Sequence, residues 1–434
     1  MKSIVLALLI SIGTPIYLAA HAQDNDLQSV TELAMQGDAG AQFNLGSIYY
    51  NGRGVTQDIK TAIKWIKSAA DQGHARAQFA LGTICAIGQG VPQDYKATVK
   101  WYRLSAKQGH AGAQINLGSM YNNGRGVPQD YKAAVKWYEM AAKQGFAVGQ
   151  FSLGGMYSSG RGVPQDHKAA VKWFRLAAEQ GHAGAQTNLG ARYGSGQGAP
   201  QDYKAAVKWY RMAAEQGNAR SQFNLGTMYD SGRGVPQDHK AAVQWYRLAA
   251  EQGLVEAQYN LGGIYSSGRG VPQNYKAAVK WLRLAAEQGH AGGQFGLGFR
   301  YSSGLGVSLD HKAAVEWYRL AAEQGHARAQ SSLGIGYGNG LGVFQDSKTA
   351  VKWHKMAAEQ GFAQAQFNLG TMYKFGEGVP QNYKAAHMWI SLADYNGYLV
   401  ASGSLGVLSK KMTPTQIAEA QEMAAEWLRN FELR

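Results

Sequence analysis

Rows of histidine, carboxylate and glycine run through this sequence at spacings that invite a chemical reading. His74, His110, His182, His290 and His326 share one register, the closest of them 36 residues apart. Imidazole is a metal ligand and a general base. A second row reads Asp58, Asp94, Asp130, Asp166, Asp202, Asp238, Asn274, Asp310, Asp346 and Asn382. Carboxylates so placed could act as bases or hold a cation, but Asn fills two of the slots, and an amide replaces neither role. Asp and Asn both cap helices, because either side-chain oxygen accepts from an orphan helix N–H. A Gly-x-Gly pair recurs ten times, from Gly52/Gly54 to Gly376/Gly378. It lacks the third glycine of a dinucleotide fingerprint and the Gly-Lys-Ser/Thr of a phosphate loop, so it reads as a turn between helices. His-Glu-x-x-His and Gly-x-Ser-x-Gly do not occur. The single cysteine, Cys85, excludes an intrachain disulfide framework and a multi-cysteine zinc site. Its slot is Tyr in the nine other units, and it reads as a small buried apolar side chain. These spacings point to no catalytic residue, metal or cofactor, and the chain reads as a non-enzyme.

A beat of 36 residues positions these rows. Trp65, Trp101, Trp137, Trp173, Trp209, Trp245, Trp281, Trp317, Trp353 and Trp389 step by 36 each time. Leu-Gly recurs from Leu45-Gly46 to Leu405-Gly406, and residues 38–397 hold ten units with no insertion. A fixed period of this length marks a repeat array. In residues 110–145, Ile115, Leu117, Met120 and Tyr121 follow a helical period, which Gly124-Arg125-Gly126 stops. Val127-Pro128-Gln129 is the linker. Asp130 caps a second helix with an apolar face of Ala134, Trp137, Tyr138, Ala141 and Ala142, and Gly145 ends it. Each unit is a helix pair, and the fold class is all-α. Small residues such as Gly46 and Ala141-Ala142 let helix axes approach to ~8–10 Å. Trp137 and its equivalents are expected to wedge between layers as the one large buried aromatic of each unit. The histidines of the first row then lie in layers ~10 Å apart, too far to share a zinc with ligands at ~2.0–2.1 Å, and read as surface or capping residues.

Composition narrows the class further. Gly supplies 56 of 434 residues, about 13% against a usual ~7%, yet no Gly-X-Y period exists, which excludes collagen. With 45% hydrophobic residues the chain can bury a core and is not a disordered tail. The 43 Lys+Arg against 29 Asp+Glu give a net charge of +14, which permits anionic partners without naming one.

The pattern A-Q-x-x-L-G-x-x-Y-x-x-G-x-G-V-x-x-D, followed by A-x-x-W-Y-x-x-A-A-x-x-G, resembles the Sel-one-like repeat, a relative of the tetratricopeptide repeat, over residues 38–397. The resemblance implies an α/α solenoid: a right-handed superhelix of ten 36-residue helix-turn-helix repeats with first helices on the concave side. It also implies an adaptor or scaffold that binds other proteins. Some exported bacterial members are implicated in host-cell interaction or envelope functions. Cysteine-rich members are described as β-lactamases; they carry paired cysteines, and this chain has Cys85 alone. Outside the ten repeats, residues 23–37 read as an N-terminal capping helix and residues 398–434 as a half repeat and a final capping helix. Thr413-Pro414-Thr415-Gln416 offers that last helix a capping box.

Two surfaces are candidates for binding. By analogy with tetratricopeptide repeats, the residue two before the Leu of Leu-Gly faces the groove. It is aromatic at Phe43, Phe79, Phe151, Phe223, Tyr259, Phe295 and Phe367, and Ile115, Thr187 and Ser331 elsewhere. Small polar residues lie one turn on, from Asn51 and Asn123 to Ser303 and Asn339. An aromatic stripe beside small polar groups suits an extended peptide or a helix; packing between adjacent first helices explains it equally. On the second helix, Lys96, Lys100, Arg103 and Lys107 share one face, as do Lys168, Lys172, Arg175 and Glu179. This ridge reads as a solvated face, or as a basic ladder for an anionic envelope polymer, lipid headgroups or an acidic partner. Arg53, Arg125, Arg161, Arg233 and Arg269, set between the paired glycines, read as solvated turn residues.

The start of the chain addresses location. Lys2, the apolar stretch from Ile4 to Ile12 and Ala20-His21-Ala22 read as a secretory signal peptide cleaved after Ala22. The stretch is short of the ~20 residues that span a bilayer, and no later stretch approaches that length. The expectation is a periplasmic or secreted protein without a transmembrane segment after cleavage, whose partners are proteins and not nucleic acid. Three functions stand at this point: an interaction scaffold, a hydrolase acting on cell-wall material or β-lactams, and a binder of anionic envelope polymers.

Overall fold

The computed structural model describes residues 23–432; the expected signal peptide, residues 1–22, lies outside them. Among the described residues there are 23 helices and no strand. None of those helices is long and apolar enough to cross a membrane. The chain divides between Asn218 and Ala219 into two compact units. In the first, helix Gln23–Met35 precedes helix pairs that run from Ala39–Asn51 with Ile59–Asp71 to Ala183–Ser195 with Tyr203–Glu215. In the second, pairs run from Ala219–Ser231 with His239–Glu251 to Ala363–Phe375 with Tyr383–Tyr395. Helices Ala401–Ser409 and Pro414–Glu432 follow.

Local chemistry sets the helix boundaries. Asp130 accepts from the Ala133 N–H at 2.9 Å, and Asn274 accepts from the Ala277 N–H at 3.0 Å. Capping uses one oxygen, which is why carboxylate and amide interchange in this row. Gly124 ends helix Ala111–Asn123 at φ +65°, the left-handed C-terminal cap that glycine adopts freely. Gln129 then donates to the carbonyl of Asn122 at 2.8 Å, satisfying one of the orphan acceptors at that helix end. At the last helix the capping box is reciprocal. Thr413 N–H donates to Gln416 Oε1 at 3.0 Å, and Gln416 N–H donates to Thr413 Oγ1 at 3.2 Å.

Two glycines per repeat set the packing. The Gly of Leu-Gly is a notch for a ring. A methyl on Gly118 would stand 2.7 Å from Cε1 of Tyr138, on the second helix of the same pair. Phe174, Tyr210, Tyr246 and Tyr318 fill the notches at Gly154, Gly190, Gly226 and Gly298, and Leu282, His354 and Ile390 those at Gly262, Gly334 and Gly370. Beside the notch, Leu117 and its equivalents Leu189 and Leu261 are wholly buried. Deleting such a side chain to Ala costs about 2–5 kcal/mol.

This arrangement corrects the expectation for tryptophan. Tyr138 is 6% exposed, whereas Trp137 is only half-buried; in this row only Trp281 and Trp389 count as buried. Neighbouring helical residues point ~100° apart, so when the Tyr enters the notch the Trp must lie to its side. There it joins consecutive units: Trp137 closes the cluster that Val99 and Tyr102 of one repeat form with Leu117 and Met120 of the next. Cys85 also differs from expectation. It is partly rather than fully buried, packed at the edge of the Ile66–Leu81 cluster, and burial raises its thiol pKa.

At Gly90, Gly126, Gly162, Gly198, Gly270, Gly306, Gly342 and Gly378 the second glycine of the Gly-x-Gly turn meets the repeat before it, whereas Gly54 faces open space. Gly126 has φ +71°, and a methyl there would lie 2.2 Å from the carbonyl oxygen of Tyr95. Gly162, Gly198 and Gly342 approach Tyr131, His167 and His311 in the same way. The turn is therefore a backbone-to-backbone contact between consecutive repeats that a Cβ would prevent.

Gly145 supplies the control for this contact, since it has φ +87° and open space where a methyl would go. Gly145→Ala should cost about 1–2 kcal/mol from backbone strain, and Gly126→Ala about 1–3 kcal/mol more from steric overlap. Urea midpoints measure the difference; equal midpoints would contradict the contact.

Candidate protein-binding face

The aromatic row lies on the first helices, half engaged and half open. Phe43, Phe79, Phe151, Phe223, Phe295 and Phe367 are half-buried, and Tyr259 is 39% exposed. Ile115, Thr187 and Ser331, in the same row, are buried. The rings have definite neighbours. Phe79 lies 5.6 Å from the ring of Tyr102 and 4.6 Å from that of His110; Phe295 lies 5.7 Å from Tyr318 and 4.8 Å from His326. These are stacking distances. Phe43, Phe79, Phe151, Tyr259, Phe295 and Phe367 each meet a ring of the following repeat in this way, and none of them is fully covered. Asn51, Asn123, Ser159, Ser231 and Ser303 are exposed, but each bonds back to a carbonyl one turn earlier in its own helix.

The histidine row caps the first helices. Nδ1 of His74, His110, His182, His290 and His326 accepts the backbone N–H three residues on, at 3.0–3.2 Å. Acceptance requires an unprotonated Nδ1. Burial of the imidazoles lowers all five pKa values from 6.5, and a neighbouring Arg76 adds to this at His74 and His110. Phe146, Leu254 and Phe362 take the same slot without a side-chain cap. His354 is a different case. It fills the notch at Gly334, is 4% exposed, leaves Nδ1 without a partner, and burial lowers its pKa to about 4.

The basic ridge is less free than its sequence suggests. Lys96, Lys100, Lys168 and Lys172 are exposed. Lys100 lies over the ring of Trp101, 5.4 Å from its centroid. Arg103 donates to the Tyr121 hydroxyl at 2.7 Å and Arg175 to that of Tyr193 at 2.5 Å, each a bond to the next repeat. In the turn row, Arg161 lies over the Tyr131 ring and Arg269 pairs with Asp230 at 3.1 Å.

A glutamine ladder escaped the sequence reading. Gln108 donates to Gln78 Oε1 at 2.8 Å, and Gln78 donates to the Ala70 carbonyl at 3.1 Å, so one buried amide joins its own pair to the preceding repeat. Gln144 with Gln114, Gln252 with Gln222 and Gln324 with Gln294 repeat the first bond. Its signal was present in the sequence, since the Gln of A-Q and the Gln of E-Q-G keep the 36-residue beat.

The sign of the pH dependence follows from the lowered histidine pKa values. The unfolded chain, with histidines near 6.5, binds protons before the folded one, so stability falls with pH below that value. His354 alone contributes about 3 kcal/mol at neutral pH, lost between pH 6.5 and about 4. Replacing His74, His110, His182, His290 and His326 with Asn, a cap that does not titrate, should preserve about 1 kcal/mol per cap. Melting temperatures between pH 7.5 and 5 should then fall less than in the parent chain. An unchanged pH slope would contradict the capping role.

Comparison with known proteins fits this geometry. The family profile described as Sel1 repeat matches ten consecutive stretches, from residues 39–74 to 363–395. Among solved structures, the chain is similar to c5321, a protective antigen of uropathogenic Escherichia coli strains displaying an SLR fold. That likeness has 35% identity, 93% of this chain and 95% of the other covered, and a TM-score of 0.63. It is also similar to a Sel1 repeat protein from Oxalobacter formigenes, with 34% identity, coverage of 76% and 92%, and a TM-score of 0.58. No curated protein matches it. With the profile matched along nearly the whole described chain, this protein belongs to the Sel1 repeat family.

Proposed function

We propose that this protein is a non-catalytic scaffold outside the cytoplasm that holds protein partners along its first-helix face. The Sel1 repeat fold is typical of protein-protein interaction scaffolds. The observation that carries the reading is the file of half-open rings at Phe43, Phe79, Phe151, Phe223, Tyr259, Phe295 and Phe367. Within either unit, a peptide or helix laid across the rings gains apolar contact at each repeat that carries one, and flat aromatic surface is an efficient anchor. Support for export comes from the leader-like composition of residues 1–22, and envelope proteins are the natural pool of partners. The exposed lysines of the ridge, Lys96 and Lys168 among them, favour a second reading in which an anionic envelope polymer is the ligand.

One experiment separates the two faces. Photocrosslinkers at Ser159 and Ser267 on the exposed first-helix row, and at Lys96 and Lys168 on the ridge, are compared in chain recovered from the periplasmic fraction. The scaffold reading expects protein adducts from the first-helix sites and their loss when the ring on the same helix is removed, by Phe151→Ala for Ser159 and by Tyr259→Ala for Ser267. Adducts only from the ridge, weakened by salt, would favour the polymer or acidic-partner reading instead.

A further inference from the structure

A cavity of about 510 Å³ opens on the first-helix face of the second unit, walled by Tyr259, Phe295, Phe299 and Arg300. Arg300 is 9% exposed. Its guanidinium carbon lies 5.0 Å from the ring centroid of Tyr275 and 5.7 Å from that of Phe299, close enough for cation–π attraction to both. Its buried Nε has no hydrogen-bond partner. Burying a guanidinium with its hydrogen bonds unmade is costly, and that cost invites an anion.

The equivalent arginine of another repeat reveals what is missing. Arg192 donates to Gln197 Oε1 at 2.6 Å and to Ser158 Oγ, and its Nη1 lies 3.5 Å from His167 Nδ1. Around Arg300 the corresponding residues are Leu305, Ser266 and Tyr275. Leucine accepts nothing, tyrosine offers a ring face, and Ser266 donates to the carbonyl of Gly262 at 2.6 Å. The other charges at the cavity already satisfy each other. Asp230 takes Arg269 on one oxygen at 3.1 Å and His239 on the other at 2.8 Å. Among the carboxylate and guanidinium groups lining the cavity, Arg300 is left as the uncompensated charge.

We propose that this cavity binds a monocarboxylate with an apolar or aromatic body, its carboxylate seated on Arg300. One free guanidinium matches one negative charge, and the Asp230 carboxylate in the same wall disfavours a dianion such as phosphate. The rings of Tyr259, Phe295 and Phe299 accept the body, and the volume lies within the usual range for small-ligand sites. Gly263 leaves part of the space open, since a methyl there would meet nothing within 4 Å. The proposal deepens the reading of the first-helix face as the binding surface. Such a carboxylate comes either from a free acid or from the C-terminus of a peptide.

The test is calorimetric titration of the full chain with 3-phenylpropanoate, its amide, and a pentapeptide ending in Phe with a free or an amidated C-terminus. At least one acid should bind, with its amide about tenfold weaker or worse. Arg300→Gln should remove the acid–amide difference. Gly263→Leu, a substitution the helix tolerates, should block entry. Tyr275→His with Leu305→Gln should weaken the acid by giving Arg300 the internal partners that Arg192 has. Binding of the peptide acid alone assigns the site to a partner's C-terminus, and binding of 3-phenylpropanoate alone to a free acid. No binding by either acid, equal binding of acid and amide, or an unaffected Arg300→Gln variant would overturn the proposal. The crosslinks at Ser159 and Ser267 do not depend on Arg300, so a failure here is distinguishable from a failure of the scaffold reading.

Discussion

The ring seated on a helical glycine, Tyr138 on Gly118 and its counterparts, is the contact on which each repeat depends. A helix pair of 13-residue segments is too short to hold itself together in water, so its stability must come from packing. The notch lets a large side chain sink against the partner helix and brings the wholly buried Leu of Leu-Gly into the same seam. Once the tyrosine is seated, the tryptophan beside it is turned toward the neighbouring repeat, and the junction between repeats follows. The second glycine of the turn and the Gln78-type amide then fix the approach of consecutive backbones. Register passes from repeat to repeat through contacts that use main-chain atoms and amides, which leaves the outward positions free to vary.

That division of labour explains the chemistry of the surface. Histidine in the first row serves the backbone, accepting an N–H and stacking on a ring, so it belongs to the framework. Arg103 and Arg175 are likewise spent on tyrosine hydroxyls of the next repeat. The features left over are the ring edges, the exposed lysines and the places where one repeat departs from its siblings. Arg300 is such a departure: the same residue as Arg192 in the same slot, with two of its partners exchanged. In a repeat protein, differences between equivalent positions carry functional information, because the framework needs only their sameness.

Much of the fold was legible in the sequence because its signals are local. The Asp/Asn row, the glycine stops and the Thr413–Gln416 box each act within a few residues, and each became the cap its pattern implied. Which of two adjacent aromatics would be buried was not legible, because Trp137 and Tyr138 differ only by a rotation whose outcome depends on a notch in another helix. Cys85 was misplaced for the same reason, since its burial depends on how its helix packs against the adjoining repeat. Of the candidate site, the residue types of the aromatic row could be read, but the half-burial that couples repeats could not. The loneliness of Arg300 was hidden too, because it takes three separated residues to see it.

The ring-and-notch claim is tested most directly by a double-mutant cycle on Gly118 and Tyr138, read as urea midpoints. With the tyrosine present, Gly118→Ala should destabilise by about 1–3 kcal/mol, because the methyl would sit 2.7 Å from the ring. In a Tyr138→Ala background the same substitution should cost nothing, or stabilise by up to about 1 kcal/mol through alanine's helix propensity. Costs for Gly118→Ala that are equal in both backgrounds would show that glycine is there for some other reason, and the account of the repeat would fail.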